Sequence, residues 1–112
     1  MIAIIDYGVG NLFSLRSSLM HLGLEAVVTA DAQTIRKADR LILPGVGAFG
    51  DAMAKLEATG LVPVIKTEAE QKPLLGICLG MQLLFEKSYE YGEHGGLGFV
   101  KGEVCPLEPD LK

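Results

Sequence analysis

Glycine stands at both second neighbours of a cysteine in Gly76-Ile77-Cys78-Leu79-Gly80, at the end of the apolar run 73–77. That run has the length and bounding of a buried strand, and residues 81–86 read as a helix. A cysteine so placed has the shape of a nucleophile elbow, where glycine removes side chains that would strike neighbouring backbone. The elbow lifts the sulfur out of the sheet and leaves it at the start of the next helix. Unpaired N–H groups and the helix dipole there favour a thiolate and can hold a developing oxyanion. The same pattern also fits a buried structural cysteine in a Gly-rich turn.

A companion motif is Pro44-Gly45-Val46-Gly47. Glycines around Val46 permit an unusual peptide orientation, so the Val46 N–H can turn toward the target of the sulfur. Paired with the Leu79 N–H it would complete an oxyanion hole; the alternative is an ordinary tight loop. Gly8-x-Gly10 is a weak phosphate-loop signal, because the dinucleotide fingerprint needs glycine at position 13, which is Phe13. A turn lining a site or a partner surface fits it better. A thiol nucleophile usually works with a base. The histidines are His21, near the end of the first predicted helix, and His94, in a Gly-rich loop. Neither context marks a general base.

These residues need elements to hold them. Ile2-Ala3-Ile4-Ile5 reads as a strand opening into loop 7–11. Leu12, Leu15, Leu19 and Leu22 recur at helical spacing, with Gly23 as the stop. Residues 24–29 read as a second strand, and Asp31 caps a short helix ending at Lys37. Leu41-Ile42-Leu43 forms a third strand. After loop 44–50, Asp51 is placed to cap a helix that Gly60 ends. Residues 61–70 form another helix, with Pro63 tolerated in its first turn. Strands alternating with helices predict a doubly wound α/β fold, a mainly parallel sheet with helices on both faces. Ligands then bind beyond the carboxyl ends of the strands, which gathers loops 7–11, 44–50 and the elbow. Residues 87–98 read as a loop, 99–104 as a strand or small hairpin, and the tail 105–112 carries no clear element. A domain of this kind rarely stops there, and the chain is expected to be cut short.

The 112 residues allow a single domain, with 49% hydrophobic and 21% charged residues. The net charge of −4, without a basic run, argues against a nucleic-acid partner. Cys78 and Cys105 show no metal-ligand spacing, and free thiols in a reduced compartment are the simpler reading. The apolar start is too short for a signal peptide and no run reaches transmembrane length, so a cytoplasmic protein without a membrane partner is expected.

The strings Asp6-Tyr7-Gly8-Val9-Gly10-Asn11-Leu12, Leu43-Pro44-Gly45-Val46-Gly47-Ala48-Phe49-Gly50 and Pro73-Leu74-Leu75-Gly76-Ile77-Cys78-Leu79-Gly80-Met81-Gln82 carry a resemblance. The elbow alone resembles the class I, cysteine-triad glutamine amidotransferases. The other two strings resemble the glutaminase subunit of imidazole glycerol phosphate synthase, in its N-terminal portion. The resemblance implies that Cys78 attacks the side-chain amide of glutamine, giving a γ-glutamyl thioester and ammonia, and that water then releases glutamate. It implies Val46 and Leu79 as oxyanion donors, the Val46 peptide turning on activation. Gly45, Gly47 and Gln82 would bind substrate, with Glu90 near its amino group. No cofactor or metal is implied. Ammonia would pass to a (β/α)₈-barrel cyclase subunit near loop 7–11, which makes imidazole glycerol phosphate in histidine biosynthesis. The family's triad His and Glu have no counterpart in these residues, so the chain alone is expected to be inactive. Two other readings remain open: a non-catalytic, flavodoxin-like interaction module, and a different thiol hydrolase with the same elbow.

Overall fold

The computed structural model describes residues 1–105 and 107. Four strands, Ile2–Ile5 (β1), Ala26–Thr29 (β2), Arg40–Leu43 (β3) and Leu74–Gly76 (β4), pair in parallel in the order β2-β1-β3-β4. Their register sets Ile2 beside both Ala26 and Arg40, and Leu43 beside Gly76. Between them run Leu12–His21 (α1), Ala32–Lys37 (α2), Phe49–Ala58 (α3) and Val62–Ala69 (α4).

Side chains alternate across a strand, so β1 and β3 each feed two cores. Ala3, Ile5, Leu41 and Leu43 pack with Ile35 of α2, Phe49, Met53 and Leu56 of α3, and Ile65 of α4. On the other face Ile2, Ile4 and Ile42 meet Leu12, Leu15 and Leu19 of α1. Helices therefore cover both faces, as the alternation of elements predicts. A right-handed parallel crossover returns each helix to the edge where the strands begin. All the strand-to-helix loops consequently lie at the opposite, carboxyl edge.

Local chemistry starts and stops these helices. The Asn11 side chain accepts the Ser14 N–H, and the Asp31 carboxylate accepts both the N–H and the hydroxyl of Thr34. Those bonds, the hydroxyl first, hold the Asp31 carboxyl below its usual range. The second strand starts at Ala26 rather than at 24, because the Leu24 N–H is used by the Leu19 carbonyl at the end of α1.

Two predicted elements are corrected. Asp51 does not cap α3: it lies inside the first turn, and Ala48 occupies the cap position without a side-chain bond. The Phe49 N–H is instead satisfied by the Glu90 carboxylate, 41 residues away and invisible to a local reading. The helix expected over 81–86 is also displaced. The observed helix is the single turn Leu79–Gln82 (α5), followed by the strand Phe85–Ser88 (β5). A longer helix needs the carbonyls of Leu83 and Leu84 for its next turn. Here they accept the N–H groups of Leu97 and Val100.

The loop expected over 87–98 and the alternative hairpin over 99–104 are replaced by a second, smaller sheet. β5 pairs antiparallel with His94–Gly95 (β6) and parallel with Val100–Val104 (β7), in the order β6-β5-β7. The irregular tail expected over 105–112 lies, apart from Cys105 and Leu107, outside the described residues.

Within the first sheet, burial assigns the stability to its central strands rather than to the edge strand β4. Ile4 is fully buried, whereas Leu75 in β4 is 56% exposed. Ile4→Ala should cost about 2–5 kcal/mol in urea denaturation, and Leu75→Ala less than about 1 kcal/mol.

Candidate active site

The elbow is set by how closely three backbones approach one another at the carboxyl edge. The Ile77 N–H donates to the Leu43 carbonyl, extending the β3–β4 ladder by one rung. The chain then reverses at Cys78, which takes φ 56° and ψ −125°, a region that L residues seldom occupy. A Cβ on Gly80 would lie 1.9 Å from the Leu43 oxygen, and one on Gly76 would lie 2.6 Å from the Met81 Cα. Both flanking positions therefore exclude every other residue type, as the sequence pattern predicts. Cys78 itself is exposed, which removes the alternative of a buried structural cysteine.

Loop 44–50 packs onto the elbow. A Cβ on Gly45 would come within 2.8 Å of the Gly80 nitrogen and of the Tyr7 hydroxyl oxygen. Beyond it Gly47 adopts φ 94°. Together Gly45, Val46, Gly47, Cys78, Leu79, Gln82 and Glu90 line one open cleft of about 400 Å³. Every residue singled out from the sequence as nucleophile, oxyanion donor or substrate contact is thus brought to a common surface.

The N–H groups at the elbow are not free in this conformation. Gly80 and Met81 donate to the carbonyls of Ile77 and Cys78. The Leu79 N–H donates to the Gly45 carbonyl at 3.2 Å. The expectation of unpaired donors behind the sulfur is corrected accordingly. With a single turn in α5, anion stabilisation rests on individual N–H groups rather than on a long helix dipole. Only the Leu79 donor can be released by a local change. Turning the Gly45–Val46 peptide over withdraws the carbonyl and presents the Val46 N–H in its place.

The histidines are not part of the cleft. His21 ends α1, at the edge where strands begin, opposite the carboxyl edge that carries Cys78. His94 lines a neighbouring cleft of about 220 Å³ with Gly50, Asp51, Glu90 and Tyr91, and Glu90 alone faces both. The His94 ring covers Gly50, where a Cβ would meet it at 2.6 Å. In the Gly8-x-Gly10 turn, Gly10 packs on the Pro44 ring, which sets the turn against the loop after β3.

A residue whose role the sequence did not disclose is Tyr7. Its buried hydroxyl donates to the Pro44 carbonyl, tying the loop after β1 to the loop after β3. Burial pushes its pKa up to about 12. The legible signal was an aromatic residue just past a strand end, but its partner lies 37 residues away.

The chain matches the family described as Glutamine amidotransferase class-I over residues 3–100. It belongs to the class-I glutamine amidotransferases. Among its relatives, the imidazole glycerol phosphate synthase subunit HisH of Aquifex aeolicus is 58% identical over 111 residues, covering 97% of this chain and 54% of that one. The HisH subunit of Sulfurimonas denitrificans is 54% identical over 109 residues, covering 96% and 53%. The chain thus spans about half the length of these relatives. A solved glutamine amidotransferase superposes with a TM-score of 0.76 at 22% identity, over 94% of this chain and 56% of that one, and shares the fold.

Two outcomes test the amidotransferase cleft. Gly80→Ala forces a methyl into the Leu43 carbonyl, so denaturant stability should fall by about 1–3 kcal/mol or more. Tyr7 titrates near 10 when unfolded and near 12 when folded, so the folded state binds more protons between those values. Stability should be unaffected by this group below pH 10 and decline progressively from about 10 to about 12. Tyr7→Phe should abolish that component of the alkaline loss, measured as the difference between the two denaturation profiles.

Proposed function

We propose that this chain carries the nucleophile half of a glutaminase site, the ammonia-producing part of an imidazole glycerol phosphate synthase. The observation that carries the reading is Cys78 on a strained elbow facing the Gly45-Val46-Gly47 loop, with Gln82 and Glu90 in the same cleft. Similarity to HisH subunits supports the assignment to glutamine.

The Cys78 thiolate adds to the side-chain carbonyl of glutamine. Negative charge moves to the carbonyl oxygen, where the Leu79 N–H and the turned Val46 N–H receive it. Collapse of this adduct expels the nitrogen, which leaves as ammonia once it has taken a proton, and leaves a γ-glutamyl thioester on Cys78. Water attacks the thioester, and glutamate departs as the thiolate re-forms. Gln82 orients the substrate, Glu90 holds its ammonium group, and the small Gly45 and Gly47 let the substrate approach the backbone. The ammonia goes to a (β/α)₈-barrel cyclase subunit, docked near loop 7–11 in a cytoplasmic heterodimer.

Among the described residues, no histidine is placed at the sulfur to deliver a proton to the leaving nitrogen. Their two histidines lie outside the Cys78 cleft, so the chain alone should support attack without sustained turnover.

The test combines ammonia release with thiol labelling, on the chain mixed with the cyclase and its nucleotide ligand. No sustained ammonia is expected, with Cys78 labelled faster than Cys105 and protected by glutamine. Equal labelling of both cysteines without protection would instead support an interaction module. Steady ammonia release lost on Cys78→Ala would show that a base is present, contrary to this reading.

A further inference from the structure

Loop 44–50 must turn one peptide without dissolving, and what fixes its two ends decides whether it can. The upstream end is β3, with Leu43 in the ladder and the Pro44 carbonyl held by Tyr7. The downstream end is the first turn of α3, which has no capping side chain of its own. There the Glu90 Oε1 accepts the Phe49 N–H at 2.9 Å. Glu90 is itself anchored, because its N–H donates to the hydroxyl of Ser88, which is fully buried. The segment that carries Glu90 also grips α3 through the His94 ring on Gly50 and the close approach of Gly96 to the Phe49 ring.

We infer that Glu90 is a positioning residue that pins the downstream end of the oxyanion loop, so that the Gly45–Val46 peptide turns as a local crankshaft between fixed ends. This role rests on the glutaminase reading for its purpose, but its geometry is independent of glutamine. With Phe49 held and the Ala48 carbonyl accepting the Ala52 N–H, the bond from the Leu79 N–H is what holds the Gly45–Val46 peptide, and Gly47 at φ 94° follows it. Rotation about bonds flanking the peptide then exchanges carbonyl for N–H without moving Leu43 or Phe49. With Phe49 released, the loop gains conformations in which neither group faces Leu79, and the hole is populated less often.

The measurement uses the full 112-residue chain as wild type, Glu90→Gln, Glu90→Ala and Ser88→Ala. Hydrogen exchange reports the Phe49 amide. Cys78 is labelled with two electrophiles. Iodoacetamide loses iodide to the thiolate by direct displacement and builds no charge on a carbonyl oxygen. A γ-chloroketone analogue of glutamine takes the thiolate at its carbonyl and places charge on that oxygen; sulfur then bonds to the methylene as chloride leaves, the first carbon–sulfur bond breaks and the carbonyl re-forms. Acetylating its α-nitrogen removes the ammonium, so that any direct salt bridge to Glu90 does not enter the comparison.

Loss of a helix cap predicts about tenfold faster Phe49 exchange in Glu90→Ala. The chloroketone rate, divided by the iodoacetamide rate, should fall by a similar factor. Glu90→Gln keeps an acceptor oxygen and should stay within about twofold of wild type on both readouts. Ser88→Ala, outside the Cys78 cleft, should move both in the direction of Glu90→Ala by a smaller factor. Unchanged Phe49 exchange in Glu90→Ala would overturn the inference whatever the chemistry with glutamine. Faster exchange with an unchanged rate ratio would overturn it too, reducing Glu90 to a structural cap. If Phe49 responds as expected but the analogue labels no variant, wild type included, the glutaminase reading fails, and the loop role fails with it.

Discussion

Gly80 lies against the carbonyl oxygen of Leu43 so tightly that a methyl group there would overlap it. The contact joins the last residue of β3 to the helix after β4, and the arrangement of the cleft depends on it. The same carbonyl accepts the Ile77 N–H, so one oxygen both ends the ladder and supports the reversal. Cys78 is held at positive φ between these two anchors. Strain of this kind costs on the order of 1–3 kcal/mol and persists only where the surroundings over-determine the backbone. Two buried cores on β1 and β3 supply that rigidity.

The second consequence is electrostatic. A nucleophile elbow is useful only if donors are aimed at the developing charge, and in this conformation the Leu79 N–H is occupied by the Gly45 carbonyl. The resting cleft therefore presents an internal acceptor where a substrate oxyanion would lie. An intramolecular carbonyl satisfies the donor at little entropic cost, so an oxyanion must bring charge or a second donor to displace it. In the proposed mechanism the Val46 N–H, one peptide rotation away, is that second donor.

The supports of the loop come from both directions along the chain. Tyr7 reaches it from the end of β1, and Glu90 reaches it from the segment between β5 and β6. The smaller sheet thereby acquires a role beyond packing. It terminates α5 after one turn by taking the carbonyls of Leu83 and Leu84, and it delivers Glu90 to the start of α3. Without it the elbow helix would run on and the first turn of α3 would lack its acceptor.

Sequence by itself determined the parts governed by short-range physics. The four parallel strands and helices α1–α4 follow from apolar periodicity, from Asp31 at a helix start, and from glycine at helix stops. Glycine at 76 and 80 disclosed the elbow because close backbone approach tolerates nothing larger. The carboxyl-edge rule then gathered Cys78 with the Gly45-Val46-Gly47 loop, since crossover handedness leaves no other edge for them. Tertiary structure alone decided what depends on pairing across long separations. Asp51 has the composition of a cap, yet the acceptor at α3 is Glu90. Residues 85–86 have a helical continuation, yet Leu97 and Val100 claim the carbonyls that would propagate it. The Leu79 N–H is occupied because the Gly45 carbonyl meets it, two positions 34 apart that no local pattern couples. A backbone donor accepts whichever partner the packed chain brings to it, and sequence proximity does not rank the candidates.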